Sequence, residues 1–290
     1  MLTAVGCVAE GASEDLATAD SQVIGGTSVP VGQWQDVVAV LGASGVCTGT
    51  LIAPTVVLTA AHCDSIDAER VVVGASDYRV DGVDHEVASF TAHPTFDVAV
   101  IVLATPVVGI APRRIATSCT YDGFAQGMPV QLVGFGRTDQ TRTADSKLHE
   151  AMVTVRDPSC MGGRGCNPDL APNGEFVAAG ESTNSCFGDS GGPVYLETPR
   201  GTLLIGAVSR GVADADAPCS GGAIYSRVDK VAAWIESTAA VELTTDSCDV
   251  QRAAAADDAA GCSTGGRCSS SALLVVLAVL FGFRRGRTAR

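Results

Sequence analysis

Aromatic residues are scarce, at 5% of the 290-residue chain, and basic residues are outnumbered, with 19 Lys and Arg against 32 Asp and Glu. The formal net charge of −13 argues against a general nucleic-acid binder, whose affinity for phosphate needs a basic face. No cysteine pair has the tight C-x-x-C spacing, which argues against a zinc site. The apolar run of the C-terminal tail, Ala272–Phe283, is shorter than the roughly 20 residues of a spanning helix. No repeat period is visible. What the chain does have is 46% hydrophobic residues, enough for a sizeable core, and 33 glycines, which suit short strands and tight turns better than a helix bundle. Its 11 cysteines point away from a reducing cytosol, and the odd count leaves at least one free, intermolecular, modified or lost in processing.

From about Val23 to Val241 the pattern is strand-like. Short β-branched or apolar runs recur at Val37–Leu41, Val56–Thr59, Arg70–Val73, Val98–Leu103, Val130–Val133, Ala151–Val155, Pro193–Leu196 and Leu203–Val208. Clusters of Gly, Pro, Asp and Ser separate them, which predicts an all-β barrel or sandwich. One helix is expected near Val228–Ala240, where Val228, Val231, Ala232 and Ile235 recur at three- and four-residue spacing.

Three segments carry chemistry: Leu58-Thr59-Ala60-Ala61-His62-Cys63, then Asp97 before the apolar run Val98–Leu103, then Gly188-Asp189-Ser190-Gly191-Gly192-Pro193-Val194. Singly, each has a bland reading as an ordinary histidine, a strand-end acid and a tight loop. Together, in that order, they resemble the trypsin/chymotrypsin family of serine endopeptidases. The resemblance spans residues 23–241. It implies two packed six-stranded antiparallel β-barrels with a C-terminal helix and an active site in the cleft between the barrels. A serine hydroxyl is a poor nucleophile until a base takes its proton. The resemblance gives Ser190 as nucleophile, His62 as base and then acid, and Asp97 as the group that orients the imidazole and stabilises its charged form. Backbone N–H groups of Gly188 and Ser190 are the implied oxyanion donors, and Ser209 the partner of Asp97. No cofactor or metal is implied; Asp77, Asp81, Asp84 and Glu86 share a neighbourhood, but their spacing defines no calcium loop.

The family's mature N-terminus is matched by Val23-Ile24-Gly25-Gly26, so a cut between Gln22 and Val23 would free an α-amine to pair with Asp189. Gln22 departs from the usual Arg or Lys, which puts a trypsin-like activating protease in doubt. The substrate pocket is implied to involve Asn184, Ser209, Gly211 and Ala223. Asn184 stands where an aspartate would select Arg and Lys, Gly211 leaves room at the rim, Ala223 narrows the back and Arg210 replaces a tryptophan. An uncharged base predicts non-tryptic cleavage. The family's bridges imply Cys47–Cys63 and Cys186–Cys219. Its third is altered, since Ala178 stands at the partner position of Cys160, and Cys166 is the substitute. Cys7–Cys119 and Cys119–Cys248 are rival pairings.

The ends read separately. Residues 1–22 are a propeptide or the remnant of a signal, since Met1–Gly6 is too short for a secretory signal. Either the true start lies upstream or Cys7 belongs to a propeptide. Residues 23–241 form the protease domain, 242–271 a small and polar linker, and 272–290 a hydrophobic segment with a basic end. This tail resembles the three-part sorting signals of bacterial surface proteins, most nearly the myxobacterial type built on Gly-Cys, here Gly261-Cys262; the Gly-Gly type, using Gly265-Gly266, is also similar. The whole predicts an exported monomeric enzyme at the cell surface or outer membrane, or released from it. Its partners are polypeptide substrates, an activating protease and sorting machinery, with no nucleic acid. The alternative is an inactive protease homologue acting as a surface binding module.

Overall fold

The structure, a computed structural model, describes residues 26–138, 146–161 and 163–246. Their strands are β1 Thr27–Ser28, β2 Val37–Gly42, β3 Gly45–Ala53, β4 Val56–Thr59, β5 Ala68–Val73, β6 Val83–Ala92, β7 Ala99–Leu103, β8 Pro129–Gly134, β9 His149–Asp157, β10 Glu175–Ala179, β11 Pro193–Thr198, β12 Gly201–Gly211 and β13 Ala223–Arg227. Strands β2 to β7 close into one antiparallel barrel in the order β2-β3-β4-β7-β6-β5. Strands β8 to β13 close into a second, in the order β9-β10-β13-β12-β11-β8, with β8 returning to β9 and β1 added outside β9. The expected pair of six-stranded barrels is therefore the architecture.

The alternation of side chains across a strand explains why β2 reads as an unbroken apolar run. Val38 and Val40 point into the first barrel with Leu51, Val57, Val71, Val73 and Ile101. Val37, Ala39 and Leu41 point the other way, into a core shared with Phe135, Tyr195 and Leu204 of the second barrel. Both faces are buried, so neither can be polar. Strand β6 shows the opposite case: most of Val83–Ala92 is exposed, and its sequence carries Asp84, Glu86, Ser89 and Thr91. That polarity hides it from a hydrophobic reading.

The barrels are also clamped by a polar cluster. Asp36 is 3% exposed and accepts from the Arg113 Nε at 2.8 Å and from the Tyr195 hydroxyl on β11 at 2.5 Å. Arg113 lies over the Tyr195 ring at 4.7 Å, and Tyr195 stacks on Trp34 at 4.9 Å. The expected C-terminal helix is broken in two: a three-ten turn at Val228–Lys230, then α1 at Ala232–Ala239. Ile235 of α1 is fully buried in the shared core. Packing continues past Val241: Leu243 is buried, Ile115 N donates to Thr244 O at 2.9 Å, and the Asp246 carboxylate accepts from Thr117 N at 2.6 Å.

The segment 1–22, Val23, Cys7, Cys248, Cys262, Cys268 and the tail beyond Asp246 lie outside the described residues. Cys119 is disulfide-bonded. Among the described residues no helix is long and apolar enough to cross a membrane.

Candidate active site

His62 sits on the three-ten turn Ala61–Ile66 that follows β4, and Asp97 lies just before β7. The register Thr59↔Ala99 explains their meeting: antiparallel pairing brings the residues after Thr59 and before Ala99 out at the same end of the barrel. His62 Nδ1 is 2.9 Å from Asp97 Oδ2, and the His62 backbone N–H donates to Asp97 Oδ1 at 3.0 Å. A carboxylate only accepts, so Nδ1 of the neutral ring carries the hydrogen and Nε2 is left as the acceptor.

The second barrel holds Asp97 from behind. Ser209 of β12 donates its hydroxyl to Asp97 Oδ2 at 2.6 Å, and Ser226 of β13 reaches the Asp97 carbonyl at 3.4 Å. Burial alone would raise the Asp97 carboxyl, but hydrogen bonds from His62 and Ser209, with attraction to His62, hold it below the usual carboxylate range.

Ser190 stands in the turn before β11. The turn is stitched to both barrels: Thr48 N of β3 donates to Ser190 O at 2.9 Å, and Gly191 N donates to Val208 O of β12 at 2.8 Å. Thr48 also donates its hydroxyl to Gly188 O at 2.7 Å and accepts from Phe135 N at 3.0 Å. Nothing in the sequence singles out Thr48; its role is visible only once the barrels pack. Gly188 has φ +102°, and a Cβ there would lie 2.9 Å from Gly136 Cα, so a side chain is excluded twice over. Among the described residues no hydrogen bond joins the Ser190 hydroxyl to His62, but both line one cavity of about 540 Å³ with Gly188, Ser209, Arg210 and Gly211. Such a contact is often long without substrate.

The bridges Cys47–Cys63 and Cys186–Cys219 place Cys47, Cys186 and Cys219 in the cavity wall, and Cys160–Cys166 closes a short loop of its own. Gly211 has no atom within 4 Å of the place a Cβ would take, so the rim is open. Asn184 and Ala223 are 5% and 1% exposed and do not border the cavity directly; Ser185, Cys186 and Cys219 do. Asn184 Oδ1 is buried with no hydrogen-bond partner.

Asp189 is also buried, at 3% exposure. Its carboxylate accepts from Gly136 N and Cys186 N, each at 2.8 Å. Gly136 is obligatory, because a Cβ there would lie 2.2 Å from the Asp189 Cγ. Among the described residues no cation pairs with Asp189. Burial therefore pushes its carboxyl up to about 6, with the two backbone N–H groups only partly opposing the shift. The Asp81 carboxylate accepts from Ser76 N, Ser76 Oγ and Asp77 N at 2.6–2.9 Å, which commits it to closing its own loop.

The family model described as Trypsin matches residues 23–235. The chain is 30% identical over 236 residues to "Trypsin iota" of Drosophila melanogaster, covering 76% of this chain and 90% of that one. It is 30% identical over 251 residues to "Serine proteinase stubble" of the same organism, covering 76% of this chain but 31% of that one. To the "Vitellin-degrading protease" of Bombyx mori it is 28% identical over 234 residues, covering 75% and 85%.

Proposed function

This chain belongs to the trypsin family and is a serine endopeptidase, and from that premise we propose that it cleaves polypeptides through an acyl-enzyme on Ser190 after a cut between Gln22 and Val23. The observation that carries the reading is the Asp97 carboxylate, which bonds His62 on one side and Ser209 on the other at the edge of the cavity that holds Ser190. His62 Nε2 takes the hydroxyl proton as Ser190 Oγ attacks the scissile carbonyl. The carbonyl oxygen becomes an oxyanion facing the N–H groups of Gly188 and Ser190. The imidazolium returns its proton to the leaving amine, and water then repeats the sequence on the ester, releasing the acid and restoring Ser190.

Activation rests on Asp189. Its buried carboxylate has no cation among the described residues, and the Val23 α-amine freed by the cut would supply one. The segment 1–22 is then a propeptide on the protease domain 23–241. The P1 preference rests on Asn184. Asn184 precedes the Ser185 and Cys186 that line the cavity, and it places no anion behind them to pair with an Arg or Lys side chain, which favours neutral polar or medium apolar P1 residues. A peptide-library profile of the cut enzyme checks this, and dominant Arg/Lys cleavage overturns it. The tail beyond Asp246, with Gly261-Cys262 and the hydrophobic segment 272–290, would carry the enzyme to the cell surface through sorting machinery; the support is its composition, and intact mass of the mature protein tests it.

The test of the whole is fluorophosphonate labelling of the cut protein. Labelling that disappears in Ser190→Ala is the expected result. No Ser190-dependent labelling would leave a catalytically inactive binding module.

A further inference from the structure

One charged network in the cleft lies outside the three reacting groups. Arg210 follows Ser209 on β12, and ordinary strand alternation would send the two side chains to opposite faces. The β12–β13 register shifts between Val208 and Arg210, a bulge that re-aims them. Arg210 Nη1 donates to Ser209 Oγ at 2.9 Å and to Glu175 Oε1 at 2.7 Å. Its Nη2 donates to Glu175 Oε2 at 3.0 Å and to Gly165 O at 2.8 Å. Gly165 lies inside the loop closed by Cys160–Cys166. Glu175 is 1% exposed, and its Oε2 also accepts from Asn167 N at 2.8 Å. The guanidinium is therefore fixed from three directions, by a strand, by a short disulfide loop and by Ser209.

A guanidinium can only donate and a carboxylate can only accept. Ser209 Oγ has one hydrogen and sits between the two. It must accept from Arg210 and give its hydrogen to Asp97. We propose that Arg210, held by Glu175 and the Cys160–Cys166 loop, is a positioning residue for Asp97, acting through Ser209. Without the guanidinium the Ser209 hydroxyl is free to turn, and a donor to Asp97 becomes a rotor. With it, the hydroxyl is oriented, and polarisation by a cation strengthens its bond to Asp97. A lysine does not substitute, because the fork meets three acceptors at fixed angles. This inference rests on the assignment of His62, Asp97 and Ser190 as the reacting groups.

The experiment is a double-mutant cycle on the cut enzyme with a peptide amide substrate. Arg210→Met and Glu175→Gln are made together so that no unpaired charge is left buried. This pair is combined with Ser209→Ala. In the Ser209 background kcat falls about tenfold with KM within about twofold, the loss of one hydrogen bond to a charged group. In the Ser209→Ala background the same pair changes kcat by less than about twofold, because the hydroxyl it orients is gone. Arg210→Lys carries the same cycle should the pair fail to fold, and it is expected to lose kcat rather than rescue it. Equal losses in both backgrounds, no loss in either, or a change confined to KM overturns the proposal. A wild-type protein without Ser190-dependent labelling overturns the assignment of the reacting groups, and this inference with it. A labelled wild type with additive effects overturns this inference alone.

Discussion

Two carboxylates flank the Ser190 turn, Asp189 buried and Asp97 half-buried with 22% of its side chain exposed, and their hydrogen-bond partners differ. Asp97 has its full set of donors, His62 from the first barrel and Ser209 from the second, and its carboxyl is held low. Asp189 has two backbone N–H groups and no cation among the described residues, and its carboxyl is pushed up to about 6. Asp189 is the more deeply buried, and in a low-dielectric interior an incomplete hydrogen-bonding set costs more than in water. Under the proposed activation, the junction between the barrels is assembled by packing alone, whereas the Asp189 pocket would be completed by the charge that the cut frees. Regulation by a cut at Gln22–Val23 would then act on the Asp189 side and leave the Asp97 side as it stands.

The largest test of that contrast is at Asp97. Asp97→Asn keeps the shape but offers His62 the wrong tautomer, and the worked serine-protease case loses about 10⁴ in kcat. The cut Asp97→Asn protein should show that loss in steady-state hydrolysis while its thermal midpoint moves little. A loss below about tenfold would remove Asp97 from the reacting groups.

Next comes Asp189→Asn. In the cut enzyme the Val23 amine would lose its partner, and the turn that presents the Gly188 and Ser190 N–H groups would relax. A fall of about 10²–10³ in kcat is expected, the size of losing an oxyanion donor. In the uncut chain the same change removes an unpaired buried charge and should leave stability equal or higher at neutral pH. Denaturant melts of the two forms separate these outcomes. A matching loss of stability in both would mean that Asp189 is complete before the cut.

The sequence was most legible where a strand is apolar on both faces or where motif residues cluster. β2, β4, β7, β8, β11 and the body of β12 appear where apolar runs stand. β3 and β10 were missed: Gly45–Ala53 is interrupted by Gly49 and two threonines, and Glu175–Ala179 opens on a buried acid. That acid is buried because Arg210, distant in sequence, meets it. No local pattern announces such a pair. The same holds for Thr48, whose backbone and hydroxyl hold the Ser190 turn from the other barrel. His62 and Ser190 are nameable from their segments because each sits among small residues that let backbones approach, and Asp97 from its place before the apolar run Val98–Leu103. Ser209 is legible through the family resemblance, whereas Thr48, Glu175 and the role of Arg210 emerge only from tertiary contact.

The smallest effect expected is in the pH dependence of stability, and its sign separates the two carboxylates. Asp189 in the uncut chain has a folded value of about 6, above the ordinary 3.8 of an aspartate. Folding then takes up a proton between those values. Its contribution to stability is full below about pH 3.8 and is lost as pH rises to about 6, by about 3 kcal/mol in all. Asp97 runs the other way: its depressed carboxyl stabilises the fold above the ordinary carboxylate range and loses that contribution as pH falls below it. Urea melts of the uncut chain between pH 4 and pH 7, compared with Asp189→Asn, isolate the Asp189 contribution. The uncut chain should weaken across that window relative to the variant. The cut chain should not, because the freed ammonium holds Asp189 ionised. Parallel curves for the uncut chain and its variant would show that Asp189 already has a cation, and the contrast between the two carboxylates would close.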